Sequence, residues 1–88
     1  MSNETWRLVV DPTVHKALRK FPRKDQEVLT GAIDELALNP HTGDIQKMEG
    51  KENAWRRRVR SYRIKYEIYT NTRTVFVYEL KRRSSTTY

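Results

Sequence analysis

Apolar residues recur along the chain in two rhythms. Between Val14 and Leu38 they step by three and four, and from Ala54 to Leu80 they alternate. The first rhythm belongs to helices with one buried face, the second to half-buried strands. Ahead of both, Trp6 to Val10 (WRLVV) is apolar and β-branched around Arg7, which predicts a strand. Asp11-Pro12 then predicts a helix start, because Asp caps the first turn and Pro fits within it. Val14, Ala17, Leu18 and Phe21 carry the apolar side of this helix, with Lys16, Arg19 and Lys20 opposite. After Pro22 a second helix is predicted from Arg23 to about Leu38. Its pairs Val28/Leu29, Ala32/Ile33 and Leu36/Ala37 step by four, and Asn39-Pro40 stops it. Asp34 and Glu35 are adjacent on this helix, point in different directions and read as a solvated face.

Residues 40–53 (PHTGDIQKMEGKEN) read as a loop, from which Ile45 and Met48 are expected to dip into the core. Three strands should follow: Ala54–Arg60, Tyr62–Tyr69 and Arg73–Leu80. Ser61-Tyr62 is expected to turn the chain between the first two, and Thr70-Asn71-Thr72 between the last two. The predicted order is β-α-α-β-β-β. It is an α+β fold in which a helical hairpin packs on one face of a four-stranded, mostly antiparallel sheet and leaves the other face to solvent. At 88 residues the chain is expected to form a single domain, 1–88.

Composition narrows the chemistry. Five Tyr, two Trp and two Phe argue against disorder, despite 33% charged residues. There is no Cys and there are two His, so disulfides and thiolate sites are excluded and neither a metal site nor a cofactor is expected. His15 reads as a surface residue and His41 as a loop residue. No apolar run approaches a membrane span, and MSNETWR lacks a signal-peptide core, so a cytoplasmic protein is expected. The net charge of +7 is unevenly placed. Residues 1–50 hold seven Lys/Arg against eight Asp/Glu, and residues 51–88 hold eleven against three. A basic half of this kind attracts polyanions, nucleic acid first and an acidic protein segment second.

Strand alternation says where that charge goes. In 54–60, Trp55, Arg57 and Val59 share one side, and Arg56, Arg58 and Arg60 the other. In 62–69, Tyr62, Ile64, Tyr66 and Ile68 share one side, and Arg63, Lys65, Glu67 and Tyr69 the other. With the apolar sides against the helices, Arg56, Arg58, Arg60, Arg63 and Lys65 share the open face, and Glu67 is the acid among them. Arg57 falls on the apolar side and is expected at a sheet edge with its head in water. Facing like charges cost from a few tenths to ~1 kcal/mol per pair, a cost that an anionic partner would offset.

If that partner is RNA and the protein cuts it without a metal, three groups are needed. A base takes the proton of a ribose 2′-OH, cations stabilise the phosphorane, and an acid protonates the departing 5′-oxygen. Arg clamps phosphate oxygens well and is a poor base. A Tyr whose pKa is lowered by nearby cations could be the base, or a Tyr could stack a nucleobase.

Four segments stand in order along the second half: Lys47-Met48-Glu49-Gly50, Trp55-Arg56-Arg57-Arg58-Val59-Arg60, Tyr62-Arg63-Ile64-Lys65-Tyr66, and Lys81-Arg82-Arg83 followed by Tyr88. Together with the predicted element order, they resemble the RelE/ParE toxin superfamily of bacterial type II toxin–antitoxin systems. RelE-like members cut mRNA on the ribosome, whereas ParE-like members inhibit DNA gyrase. The resemblance to the RelE branch implies that Arg56 and Arg58 contact RNA and support catalysis, and that Arg63 stabilises the reacting phosphate. It further implies that Arg82 or Arg83 is a second phosphate-contacting Arg, and that Tyr88 helps activate or orient the nucleophile. Arg60, Lys65 and Lys81 would add RNA contacts. The strand cations are Arg where the nuclease pattern favours Lys. The expectation is thus an endoribonuclease toxin whose partners are mRNA, the ribosome and a cognate antitoxin that covers the basic face with an acidic segment. A gyrase inhibitor of the same fold and a catalytically silent RNA-binding module are the alternatives.

Overall fold

The computed structural model describes residues 5–82. The elements are β1 (Arg7–Val10), α1 (Pro12–Arg19), α2 (Arg23–Leu38), β2 (Ile45–Lys47), β3 (Ala54–Val59), β4 (Tyr62–Tyr69) and β5 (Thr74–Arg82). Asp11 caps α1 as its sequence predicts: its carboxylate accepts from Thr13 N at 2.9 Å and Thr13 Oγ1 at 2.8 Å. Both bonds favour the ionised carboxyl and hold its pKa below the usual value.

The two helices cover one face of a mixed sheet in the order β1-β5-β4-β3-β2. The α+β architecture is the predicted one, but the sheet has five strands, not four. The additional strand, β2, lies inside the segment expected to be a loop. Its three residues, Ile45, Gln46 and Lys47, are too few to display an alternation. β1 runs parallel to β5, since α1 and α2 form the crossover that parallel neighbours require. The remaining pairs are antiparallel.

The core lies between sheet and helices. Val14 of α1 and Leu29, Ala32, Ile33 and Leu36 of α2 meet Tyr62, Ile64, Tyr66 and Ile68 of β4 and Val75, Val77 and Leu80 of β5. Trp55, Val59 and Ile45 pack at its border. Met48 does not join it. It takes a hydrogen bond from the Tyr78 hydroxyl on its Sδ at 3.7 Å. The buried tyrosines keep their hydroxyls paired, Tyr66 with Pro40 O at 3.1 Å and Tyr62 with Asp25 Oδ2 at 2.6 Å.

Val59 pairs with Tyr62, so the β3–β4 turn is Arg60-Ser61, one residue earlier than predicted. Arg60 takes φ 55, the left-handed region. β4 and β5 pair with a register shift at Lys65/Tyr66: Lys65 faces Glu79 and Tyr66 faces Val77, leaving Tyr78 as the bulged residue.

Candidate nucleic-acid interface

The open face is built from the inside outward. Tyr62, Ile64, Tyr66 and Ile68 are buried, which fixes Arg63, Lys65 and Glu67 on the far side of β4. Register then sets their neighbours: Arg58 stands opposite Arg63, and Arg56 opposite Lys65. On the other flank of β3, Gln46 of β2 stands opposite Arg56 and accepts from its Nη2 at 2.9 Å. Asp44, just before β2, takes the Arg58 backbone N–H at 2.9 Å, and its Oδ2 lies 3.4 Å from Arg58 Nε. Asp44, Gln46, Arg56, Arg58 and Arg63 line a cavity of about 90 Å³. Three guanidinium groups thus converge on one depression, with a carboxylate and an amide on its wall.

β5 extends the face. Lys81 stands opposite Arg63, and the Glu79 carboxylate lies 3.3 Å from Lys65 Nζ and 3.8 Å from Lys81 Nζ. Glu67 is therefore not the single acid of this face. Counting by twos from Val75 and Val77 would place Glu79 in the core, and the bulge at Tyr78 resets that parity.

Two cations of the Trp55–Arg60 segment do not lie on the open face. Arg57 is on the helix side, as alternation requires, but it is not at an edge, because β2 covers β3 there. Its head does not snorkel to water. Nη1 donates to Ala32 O at 3.0 Å and Nη2 to Glu35 Oε1 at 2.8 Å, with the side chain 12% exposed. Glu35 is accordingly an ion-pair partner and not part of a plain solvated face. Arg60, expected beside Arg56 and Arg58, sits in the turn and points its Nη1 to Asp25 Oδ1 of α2, 3.7 Å away.

Arg82 pairs with Tyr62 in the ladder, and its guanidinium lies 5.9 Å from the centre of that ring. It belongs to the helix-bearing side of the sheet and is not brought to the cavity. Arg83 and Tyr88, also implied by the family resemblance, lie outside the described residues.

A tyrosine made more acidic by the cations is not found among the described residues. Tyr62 is pushed up first by its bond to Asp25, Tyr69 by its 2.6 Å bond to Glu67, and Tyr78 by burial and then by Glu67 and Glu79. Burial pushes Tyr66 up to about 12. His41 packs edge-on against Trp55, ring centres 5.6 Å apart, away from the cavity-lining set. Asp44 and Gln46 are the residues that sequence reasoning missed. A Gly-Asp pair closing a polar loop before Ile45 gives no sign that it returns to the arginine strand.

The model of the ParE toxin of type II toxin–antitoxin systems matches residues 8–86. No curated protein matches. Among solved structures, the archaeal RelE–RelB complex from Pyrococcus horikoshii OT3 is similar, with 25% identity and a TM-score of 0.80 over 93% of this chain and 99% of that one. The isolated E. coli RelE toxin gives 22% identity and a TM-score of 0.76 over 92% and 87%. The RelB–RelE antitoxin–toxin complex from Methanococcus jannaschii gives 26% and 0.69 over 84% and 88%.

Proposed function

Since the chain belongs to the ParE toxin family of type II toxin–antitoxin systems, we propose that this toxin is an endoribonuclease that cuts mRNA on the ribosome through its open sheet face. The observation that carries the reading is the convergence of Arg56, Arg58 and Arg63 on the cavity that Asp44 also lines. A scissile phosphate bound there meets guanidinium groups able to hold two oxygens at once. The ribose 2′-oxygen attacks phosphorus, a P–O bond forms, and the P–O5′ bond breaks to leave a 2′,3′-cyclic phosphate. The 2′-OH proton passes to a base, and a second proton goes to the departing 5′-oxygen. Among the described residues lining the cavity, the Asp44 carboxylate is the group able to accept the first. An ammonium, Lys81 opposite Arg63 or Lys65 opposite Arg56, is able to supply the second. The arginines act most on the phosphorane, which carries more charge than the bound substrate. Arg83 and Tyr88 remain further candidates for phosphate contact and for orienting the nucleophile. RNA contact by Arg60 would have to come from the turn and not from the sheet face.

An antitoxin partner is part of the proposal. The Pyrococcus and Methanococcus relatives are seen in complex with RelB, and an acidic segment would complement this face. The chain is proposed to act as a single domain in the cytoplasm. No described helix is long and apolar enough to cross a membrane.

The ParE family match favours a second reading, inhibition of DNA gyrase by the same fold. Single-turnover cleavage of mRNA on programmed ribosomes, run beside a gyrase supercoiling assay, decides between them. The nuclease reading expects new mRNA 5′ ends that depend on ribosomes and leaves supercoiling untouched. Loss of supercoiling with intact mRNA would give the protein to the gyrase branch.

A further inference from the structure

Beyond Lys65 the open face changes from cationic to aromatic. Phe76 stands opposite Glu67, and its ring lies 6.1 Å from that of Tyr78, inclined by 33°. The Tyr78 hydroxyl reaches Met48 Sδ, and the Met48 N–H is bonded to Ala54 O of β3 at 2.9 Å. A side chain rooted in β5 whose tip meets Met48 leans across β4 and does not stand off the sheet. Ala54 shares the face of Arg56, yet it is 1% exposed, as a residue beneath such a ring would be. Tyr78 itself is half-buried, which leaves part of the ring to solvent.

We infer that Phe76 and Tyr78 form a stacking platform for one unpaired nucleobase of an RNA strand whose phosphate is held by Arg56, Arg58 and Arg63. The inference rests on the RNA reading above and adds to it a subsite for the base. Three observations converge on this occupant. First, Phe76 lies two strands and two residues from Arg56, roughly 12 Å between backbones at ordinary sheet spacings. An arginine side chain and one nucleotide span that distance. Second, the charge reverses along the face. Glu67 stands opposite Phe76 and already accepts from Tyr69, and its carboxylate repels a phosphate, whereas Glu79, level with Arg56, is paired with Lys65 and Lys81. Glu67 thus confines the backbone to the arginine end while leaving the aromatic end to an uncharged base, whose N–H groups it can accept from. Third, an aromatic face suits any base, because every base has a π-surface. Such a platform fits an enzyme that must accept varied mRNA.

The test uses the full chain and a short single-stranded RNA carrying one 5-iodouridine, placed at each position in turn. Irradiation of the complex joins that base to an aromatic ring stacked on it, and mass spectrometry identifies the residue. The crosslink is expected on Tyr78 or Phe76. Tyr78→Leu keeps Ala54 covered and removes the π-surface. It is expected to weaken RNA binding roughly tenfold to a hundredfold, with the dependence of log K on log salt unchanged, because the phosphate contacts remain. Tyr78→Phe keeps the π-surface and should recover most of the affinity that Tyr78→Leu loses. Arg63→Ala should flatten the salt dependence and keep the crosslink at low salt. Steeply salt-dependent binding with crosslinks elsewhere, or full affinity in Tyr78→Leu, would overturn the platform and leave the RNA reading standing. No RNA binding even at low salt would overturn both.

Discussion

Arg58 and Arg63 face each other directly across β3 and β4, two guanidinium groups paired on one side of the sheet. Facing like charges destabilise a sheet by a few tenths to ~1 kcal/mol, and among the described residues Asp44 offsets this at Arg58. The pair is a place where the fold gives up stability to concentrate charge beside a cavity. Arg63→Ala should therefore unfold at the same or slightly higher denaturant concentration than the parent. It should still bind ribosomes within about tenfold, a change of about 1.4 kcal/mol. Its single-turnover mRNA cleavage should fall by roughly a hundredfold or more, the scale of losing one donor to a developing charge, and Arg63→Lys should recover part of it. A well-folded Arg63→Ala protein that cuts at the parent rate would remove Arg63 from the site.

Arg57 should behave in the opposite way to its neighbours in the sequence. It bonds Ala32 O and Glu35, so Arg57→Ala should lower stability by about 1.5–3 kcal/mol, the usual worth of bonds to a charged group. The salt dependence of RNA binding should stay near that of the parent. Arg56→Ala and Arg58→Ala should do the reverse. Gly43→Ala should mimic the Arg57 defect, since its φ of +87° disfavours a side chain and an added Cβ would meet the Arg57 guanidinium. The left-handed backbone alone costs about 1–2 kcal/mol. Urea melts and a salt titration with each variant check both halves.

The α2 stripe carries the core. Leu29 is fully buried and Ile33 nearly so, so Leu29→Ala and Ile33→Ala should each cost about 2–4 kcal/mol in denaturant unfolding. Losses under about half a kcal/mol at both positions would contradict the packing, because truncation of a buried aliphatic side chain is always felt in a close-packed interior.

Alkaline pH should destabilise the protein through its tyrosines. Tyr62, Tyr66, Tyr69 and Tyr78 are all raised above their ordinary value near 10, Tyr66 to about 12. A raised folded-state pKa contributes stability that is complete below about 10 and is lost as pH climbs through the folded value. The urea midpoint should thus fall steadily between about pH 10 and pH 12. Tyr66→Phe should make that fall shallower, and a midpoint independent of pH over this window would contradict the burial of the Tyr66 hydroxyl.

The sequence alone determined the two helices, the core stripe of α2, the strands β3, β4 and β5 and the sidedness of Arg56, Arg58 and Arg63. Each of these is a local periodicity, repeated over enough residues for burial on one side to leave its mark. Tertiary structure decided what periodicity cannot record. Three residues of β2 form a strand because β3 offers an edge, and so Asp44 and Gln46 reach the arginines. Arg57 finds a carbonyl and a carboxylate because α2 crosses above it, and Arg60 is withdrawn because the turn falls one residue early. A bulge at Tyr78 turns Glu79 outward, and the resulting register puts Arg82 over Tyr62 and away from the cavity. Alternation fixes which residues of one strand share a side, whereas the neighbours of that side depend on register, and register is set by contacts between segments far apart in the chain.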